Sequence, residues 1–183
     1  MTVTQKIVTP SIEIRSVAWD DPDAVALRDA MTAEVAPRYA DRLAHMPPPA
    51  EMFVQPDQVI YTAVAYDGPR SVGHIALRYL PVVPSGTENT ENTDIPDETA
   101  EFEIKRMFVD PSVRGRGVAR LLLSATENAA LAKGARRVVL QTGDRQPEAA
   151  ALYTSAGYTR IPLLAPYLAL PYSLCFEKPL RFT

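Results

Sequence analysis

The 183-residue chain holds a single cysteine, Cys175, and only two histidines, His45 and His74. One thiol closes no internal disulfide, which fits a reducing compartment. So few soft or imidazole ligands also leave no tetrahedral zinc spacing. No apolar run approaches the roughly 20 residues that span a bilayer, and Met1 to Pro10 has no apolar leader core. Excess positive charge is missing too. With 19 basic against 22 acidic residues the net charge is -3, so nothing general draws the chain to nucleic acid or to an anionic membrane. These absences point to a cytoplasmic protein without a metal. What is present is 46% hydrophobic and 22% charged, ordinary for one soluble domain. A chain of this length buries roughly 70% of its unfolded surface, enough for a core without staples.

Hydrophobic periodicity lays out the elements. Ile12, Ile14 and Ser16 alternate with Glu13, Arg15 and Val17 as in a half-buried strand. Asp20, Asp21 and Pro22 then open a helix whose stripe is Ala24, Leu27, Met31 and Val35. Residues 58–66 and 71–80 are rich in Val, Ile, Tyr and Ala, and the turn Asp67-Gly68-Pro69-Arg70 makes them a hairpin. From 81 to 100 the apolar content collapses, leaving Glu88, Glu91, Asp94, Asp97 and Glu98 with no basic residue among them. This reads as a long acidic loop, either a solvated insertion or a collector of cationic substrate.

The strand at 101–109 breaks phase. Phe102 and Ile104 share one parity and Met107 and Val109 the other, so burying all four on one face requires a β-bulge near Lys105 or Arg106. After Asp110-Pro111-Ser112 and Arg114-Gly115-Arg116-Gly117, the stripe Val118, Leu121, Leu122, Ala125 and Ala129 predicts a helix stopped by Gly134. A short buried strand at 137–142 follows, and strand-helix-strand order predicts a parallel pair. A helix over 147–156 and strands at 158–161 and 173–178 complete the chain.

Two glycines between a strand and a helix start form a natural anion cradle. Amides there lack intrahelical partners, the helix dipole is positive, and no Cβ keeps a phosphate away. Arg114, Arg116 and Arg120 add charge for a pyrophosphate or ribose phosphate. Val118 and Ala119 stand where a nucleotide-triphosphate loop has Lys-Ser/Thr, a third dinucleotide glycine is missing, and an RNA-contacting Arg-Gly tract would sit in a basic disordered context.

The segment from Val109 to Ala119 resembles the acyl-CoA signature Arg/Gln-x-x-Gly-x-Gly/Ala of the GCN5-related N-acetyltransferase (GNAT) family, read as Arg114, Gly117 and Ala119. Glu103 to Val109 before it and Glu148 to Tyr158 after it resemble the family's fourth strand and the late helix ending in Gly-Tyr. The resemblance implies an α/β (mixed α+β) fold: a mostly antiparallel central sheet with one splayed parallel strand pair, flanked by helices. The whole of 1–183 would be one such domain, with 1–10 flexible and 81–100 inserted. It implies acetyl-CoA as cosubstrate, with backbone contacts from Met107, Phe108 and Val109 to the pantetheine. The pyrophosphate would meet amides of Arg114, Gly115, Arg116, Gly117, Val118 and Ala119. Gln146 replaces a frequent Asn and offers the same amide on a longer stem.

The implied reaction moves an acetyl group to a primary amine by direct attack, the acceptor being a small molecule or a protein amine. A homodimer is compatible with this, as is the alternative of a non-catalytic acyl-CoA sensor or interaction module. Tyr153 stands where family members protonate the departing sulfur, and its other reading is a ring packed on the sheet. Glu103 is the candidate base, against an ion pair with Lys105 or Arg106 on a solvated face. Glu101 and His74 stand in reserve, His74 also reading as a hydrogen-bonded structural residue. Cys175 reads as buried packing, which argues against a cysteine relay, and Tyr158 as core. Tyr167 or Tyr172 would wall the acceptor pocket.

Overall fold

A computed structural model of the chain describes residues 12–45, 53–80 and 102–181. The acidic stretch 81–100, Glu101, the proline run at 47–49 and residues 1–10 lie outside the described residues. Among the described residues seven strands form one sheet in the order β1-β2-β3-β4-β5-β7-β6. In chain order these are β1 Ile12–Ser16, β2 Val59–Asp67, β3 Arg70–Tyr79, β4 Phe102–Val109, β5 Arg137–Gly143, β6 Thr159–Ile161 and β7 Ser173–Pro179. The helices are α1 Pro22–Val35, α2 Ala40–Leu43, α3 Val118–Ala132 and α4 Pro147–Ser155. The element boundaries read from the sequence agree with these to within a few residues.

Asp21 caps α1, its carboxylate accepting from the amides of Asp23 (2.9 Å) and Ala24 (3.4 Å). Ala24, Leu27 and Met31 then pack on Val64, Tyr66 and Phe108. Ala63 and Ala65, of opposite parity on β2, belong to the main core together with Leu122 and Leu123 of α3, so α1 and α3 cover opposite faces of the sheet. The contact between α3 and β3 is close: a Cβ on Gly73 would stand 3.0 Å from Leu122 Cδ1 and 3.1 Å from the Phe108 carbonyl. The buried stripe of α3 runs through Val118, Leu122, Leu123, Thr126 and Ala130, whereas Leu121 is 45% exposed. The expected stripe is therefore turned by about one residue. Thr126 can lie inside because its hydroxyl donates to the Leu122 carbonyl at 2.9 Å.

The phase break in β4 is a bulge. His74 pairs with Phe108 and Ala76 with Lys105, so Arg106 and Met107 together face Ile75. Arg106 takes the left-handed region at φ 56, the one non-glycine residue to do so among the described residues. Beyond the bulge Met107 and Val109 pack on the same core as Phe102 and Ile104. The β4–β5 pair is parallel from Phe102/Val138 to Ile104/Leu140 and stops there, while β5 goes on to Gly143 against β7. The bulge and the lost pairing open the sheet between β4 and β5.

Candidate active site

Two cavities, of about 430 and 320 Å³, adjoin this opening, and Met107, Gln146 and Tyr153 line both. The larger lies under the glycine loop and α3. Gly115 (φ 79) and Gly117 (φ 81) hold the left-handed turn that brings the chain into α3. A Cβ on either would meet nothing within 4 Å, so the space in front of the loop is open. The amides of Arg114 and Arg116 donate back to Pro111 and Val113 at 3.4 Å each. Those of Gly115, Gly117, Val118 and Ala119 have no backbone acceptor among the described residues. This leaves four donors at a helix N-terminus, the chemistry a pyrophosphate needs.

The arginines are less free than their number suggests. Arg116 pairs with Asp67 at 2.6 Å and is not among the cavity-lining residues. Arg114 pairs with Glu34 at 2.7 Å and donates to the Val109 carbonyl, and Arg120 binds Ser155. Arg114 and Arg120 still line the cavity, with Met107, Phe108 and Val109 opposite the loop. Gln146 stands at the N-cap of α4 without capping it through its side chain.

The smaller cavity fills the gap itself. Ile104 to Met107 form one wall and Gln141 to Gly143 another, with Tyr39 and Tyr172 beside them. Tyr39 fits because residue 143 is glycine: a Cβ there would sit 2.0 Å from the Tyr39 hydroxyl. That hydroxyl accepts from the Arg145 amide at 2.9 Å, and the Arg145 guanidinium grips Asp41 at 2.6 and 2.9 Å. The turn after β5 is thereby fastened to the segment following α1. Sequence reading missed Tyr39 and Arg145, since no local pattern joins residues so distant; Arg106 had a signal, the phase break.

Tyr153 projects from α4 onto the bulged strand, its hydroxyl 3.7 Å from Met107 Sδ and its ring 5.8 Å from that of Tyr158. The residue is 7% exposed, and burial pushes the phenol above its usual range, so it stays a protonated donor.

Glu103 stands elsewhere. It is fully buried and lines neither cavity. Arg78 Nε and Nη2 reach it at 2.8 Å, Lys105 Nζ lies 3.6 Å away, and the Tyr167 hydroxyl donates to its second oxygen. The expected carboxylate at the cleft gives way, and the expected ion pair with Lys105 is present, though in a sealed cluster and not on a solvated face. Odd parity on β4 before the bulge turns Glu103 away from the main core, where Arg78 on β3 meets it. Tyr167 belongs to that cluster, also accepting from Lys105 at 2.9 Å, so of the two expected wall tyrosines only Tyr172 lines the cavity.

His74 is fully buried and its nitrogens are occupied. Nδ1 donates to the Arg106 carbonyl at 2.8 Å, which leaves Nε2 to accept from Arg28 at 3.3 Å. Burial is the main reason its pKa falls to about 4, so it is neutral at pH 7. Cys175 is buried on β7 and its thiol pushed up by burial. Tyr158 is core, its hydroxyl donating to Glu127 at 2.9 Å. Among the described residues no group of three His, Cys, Asp or Glu side chains could hold a metal, and no helix is long and apolar enough to cross a membrane.

Residues 18–158 match the Acetyltransferase (GNAT) family. An "IAA acetyltransferase" of Azospirillum brasilense is 42% identical over 105 residues, covering 57% of this chain and 69% of that protein. A Klebsiella pneumoniae structure bearing the name acyl-CoA N-acyltransferase is 27% identical, with a TM-score of 0.69 and coverage of 93% and 98% of the two chains. A GNAT family acetyltransferase from Elizabethkingia anophelis with acetyl-CoA bound shares the fold: 15% identity, TM-score 0.59, coverage 92% and 98%.

Proposed function

This chain belongs to the GNAT acetyltransferase family and is an acetyl-CoA-dependent acetyltransferase, and on that premise we propose how its residues divide the reaction and which groups touch the cosubstrate. The observation that carries the reading is the juxtaposition of the unpartnered loop amides with Tyr153 across one opening in the sheet. Gly115, Gly117, Val118 and Ala119 donate to the pyrophosphate through their backbone, while the side chains of Arg114 and Arg120 add charge at its edge. Met107, Phe108 and Val109 offer the exposed edge of β4 to the pantetheine, and Gln146 supplies an amide at the start of α4.

Bound acetyl-CoA supplies a thioester, whose C–S bond breaks as the C–N bond to the amine forms. Tyr153 donates its proton to the departing sulfur. The raised phenol pKa keeps that proton in place until thiolate develops. Neither Glu103 nor His74 lines a cavity, so neither is assigned as base. The acceptor attacks as the free amine, its ammonium proton having left to water, and the second N–H proton released as the amide forms restores the Tyr153 phenol. One domain and a cytoplasmic setting complete the reading, the latter supported by the single buried thiol.

The test is free-thiol release from acetyl-CoA across a panel of amines, run beside a thermal melt. Acetyl-CoA at 100 times its dissociation constant stabilises the folded chain by about 2.7 kcal/mol. No stabilisation at millimolar acetyl-CoA would overturn the site assignment, and stabilisation without turnover on any amine would overturn the catalytic one.

A further inference from the structure

The smaller cavity carries an unusual charge balance. Among the described residues its walls hold two cations, Lys105 and Arg106, and no carboxylate. The Lys105 ammonium is taken up by Tyr167 at 2.9 Å and Glu103 at 3.6 Å. The half-buried Arg106 guanidinium has no hydrogen bond or ion pair among the described residues. The charged or ionisable groups that act on it include Arg28, Arg78, Lys105 and Tyr167, none of them a carboxylate. Arg28 cannot serve the cavity in its place, since it donates to the Trp19 carbonyl at 2.8 Å and lies over the Trp19 ring.

Two further observations converge on the same place. Tyr172 also lines the cavity, and its hydroxyl is buried without a hydrogen-bond partner among the described residues. Arg106 is held at φ 56, a conformation that glycine would adopt with less strain. A strained, non-glycine residue at a cleft is a pointer to use of its side chain. An unpaired guanidinium is a rigid two-donor fork that matches a carboxylate. Met31, Val35, Phe53, Ile104 and Met107 give the cavity an apolar side, beside the neutral polar Gln141, Thr142 and Gln146.

We propose that the acceptor is a small amine that also carries a carboxylate, of the kind an apolar α-amino acid presents, and that Arg106 with Tyr172 binds the carboxylate. This rests on the smaller cavity being the acceptor side of the acetyltransferase site. The carboxylate pairs with Arg106 and accepts from Tyr172 while the apolar walls take the side chain. The amine is left to face the thioester beside Met107 and Tyr153. A cationic acceptor such as a polyamine would meet only like charge on the described walls.

The experiment compares L-phenylalanine, L-leucine and L-methionine with their carboxamides as acceptors, using the full chain and acetyl-CoA. A parallel melt with CoA compares N-acetyl-L-phenylalanine with its amide. Wild type is expected to prefer each acid in kcat/KM and to be stabilised by the N-acetyl acid more than by the N-acetyl amide. In Arg106→Gln the acid-to-amide ratio should fall roughly 10- to 100-fold, chiefly through KM, as for loss of a charged hydrogen bond. Arg106→Lys should recover part of it, and Tyr172→Phe should lower it by a smaller factor. A wild-type ratio of one or below, with the amides turned over, overturns the carboxylate site while leaving the acetyltransferase reading intact. If no amine is acetylated, the melts decide: equal or absent effects of acid and amide overturn the proposal, and an acid-selective shift lost in Arg106→Gln supports it. Retention of the CoA shift in each variant shows that it has folded.

Discussion

Arg78 and Glu103 form an ion pair that solvent does not reach, Nε and Nη2 of the guanidinium each lying 2.8 Å from one carboxylate oxygen. Both side chains are essentially unexposed, at 0% and 1%. Removing one member of such a pair strands the other charge at a cost of about 3 to 5 kcal/mol. Glu103→Gln is therefore expected to lower stability by about that amount, read by urea or thermal melts. Any loss of turnover at a temperature where the variant is folded should be uniform across pH. A rate loss confined to acidic and neutral pH, with an unchanged melt, would return Glu103 to the role of base.

Tyr153→Phe keeps the ring contacts with Tyr158 and Phe176 and deletes only the proton donor. Turnover should fall by roughly 10²- to 10⁴-fold, the usual worth of general acid help, with little change in CoA affinity. An unchanged rate under conditions where chemistry limits turnover would make Tyr153 a packing residue.

Gly117→Val places a branched side chain in the open space before the helix start. CoA affinity should drop roughly 10- to 100-fold, the effect of losing one charged hydrogen bond. The backbone strain of a side chain at φ 81 also destabilises the fold. Gly68→Val at φ 62 in the β2–β3 turn is the control, with equal freedom around its Cβ and no place at the cavity. Both variants should melt lower, and only Gly117→Val should lose CoA.

His74 gives the protein a pH signature. Its folded-state pKa of about 4 lies below the ordinary value of 6.5, so between these values the unfolded chain binds the extra proton. The contribution to stability is fully present above pH 6.5 and is lost as pH falls toward 4. Its size is about 3 kcal/mol. Urea melts at pH 7, 6 and 5 should show this slope in wild type and a shallower one in His74→Asn. Parallel slopes would show that carboxylates alone account for the acid sensitivity.

The bulge shows how far local information reaches. Phe102 and Ile104 against Met107 and Val109 is a contradiction inside nine residues of chain, and an extra residue at Arg106 resolves it whatever else the fold contains. The glycine loop is legible for a similar reason, because φ values near +80 and free helix-start amides are properties of a short segment. Partners of long charged side chains are of another kind. Arg116 could have faced a phosphate or Asp67, and residue order does not choose between them.

Sequence by itself determined the order of strands and helices, the bulged strand beside a parallel neighbour, and the anion-seeking turn, all of which follow from periodicity and backbone chemistry over short stretches. Tertiary structure alone decided what each polar group meets. Glu103 is sealed because Arg78, 25 residues away on a neighbouring strand, and Tyr167, 64 residues on, close over it. Gly143 matters because Tyr39 occupies the volume a side chain would need. Among the described residues Arg106 faces a cavity without a carboxylate, and Glu103, three residues before it, is already paired inside the fold. Burial and long-range pairing depend on distances between elements, and those distances exist only once the sheet has formed and split.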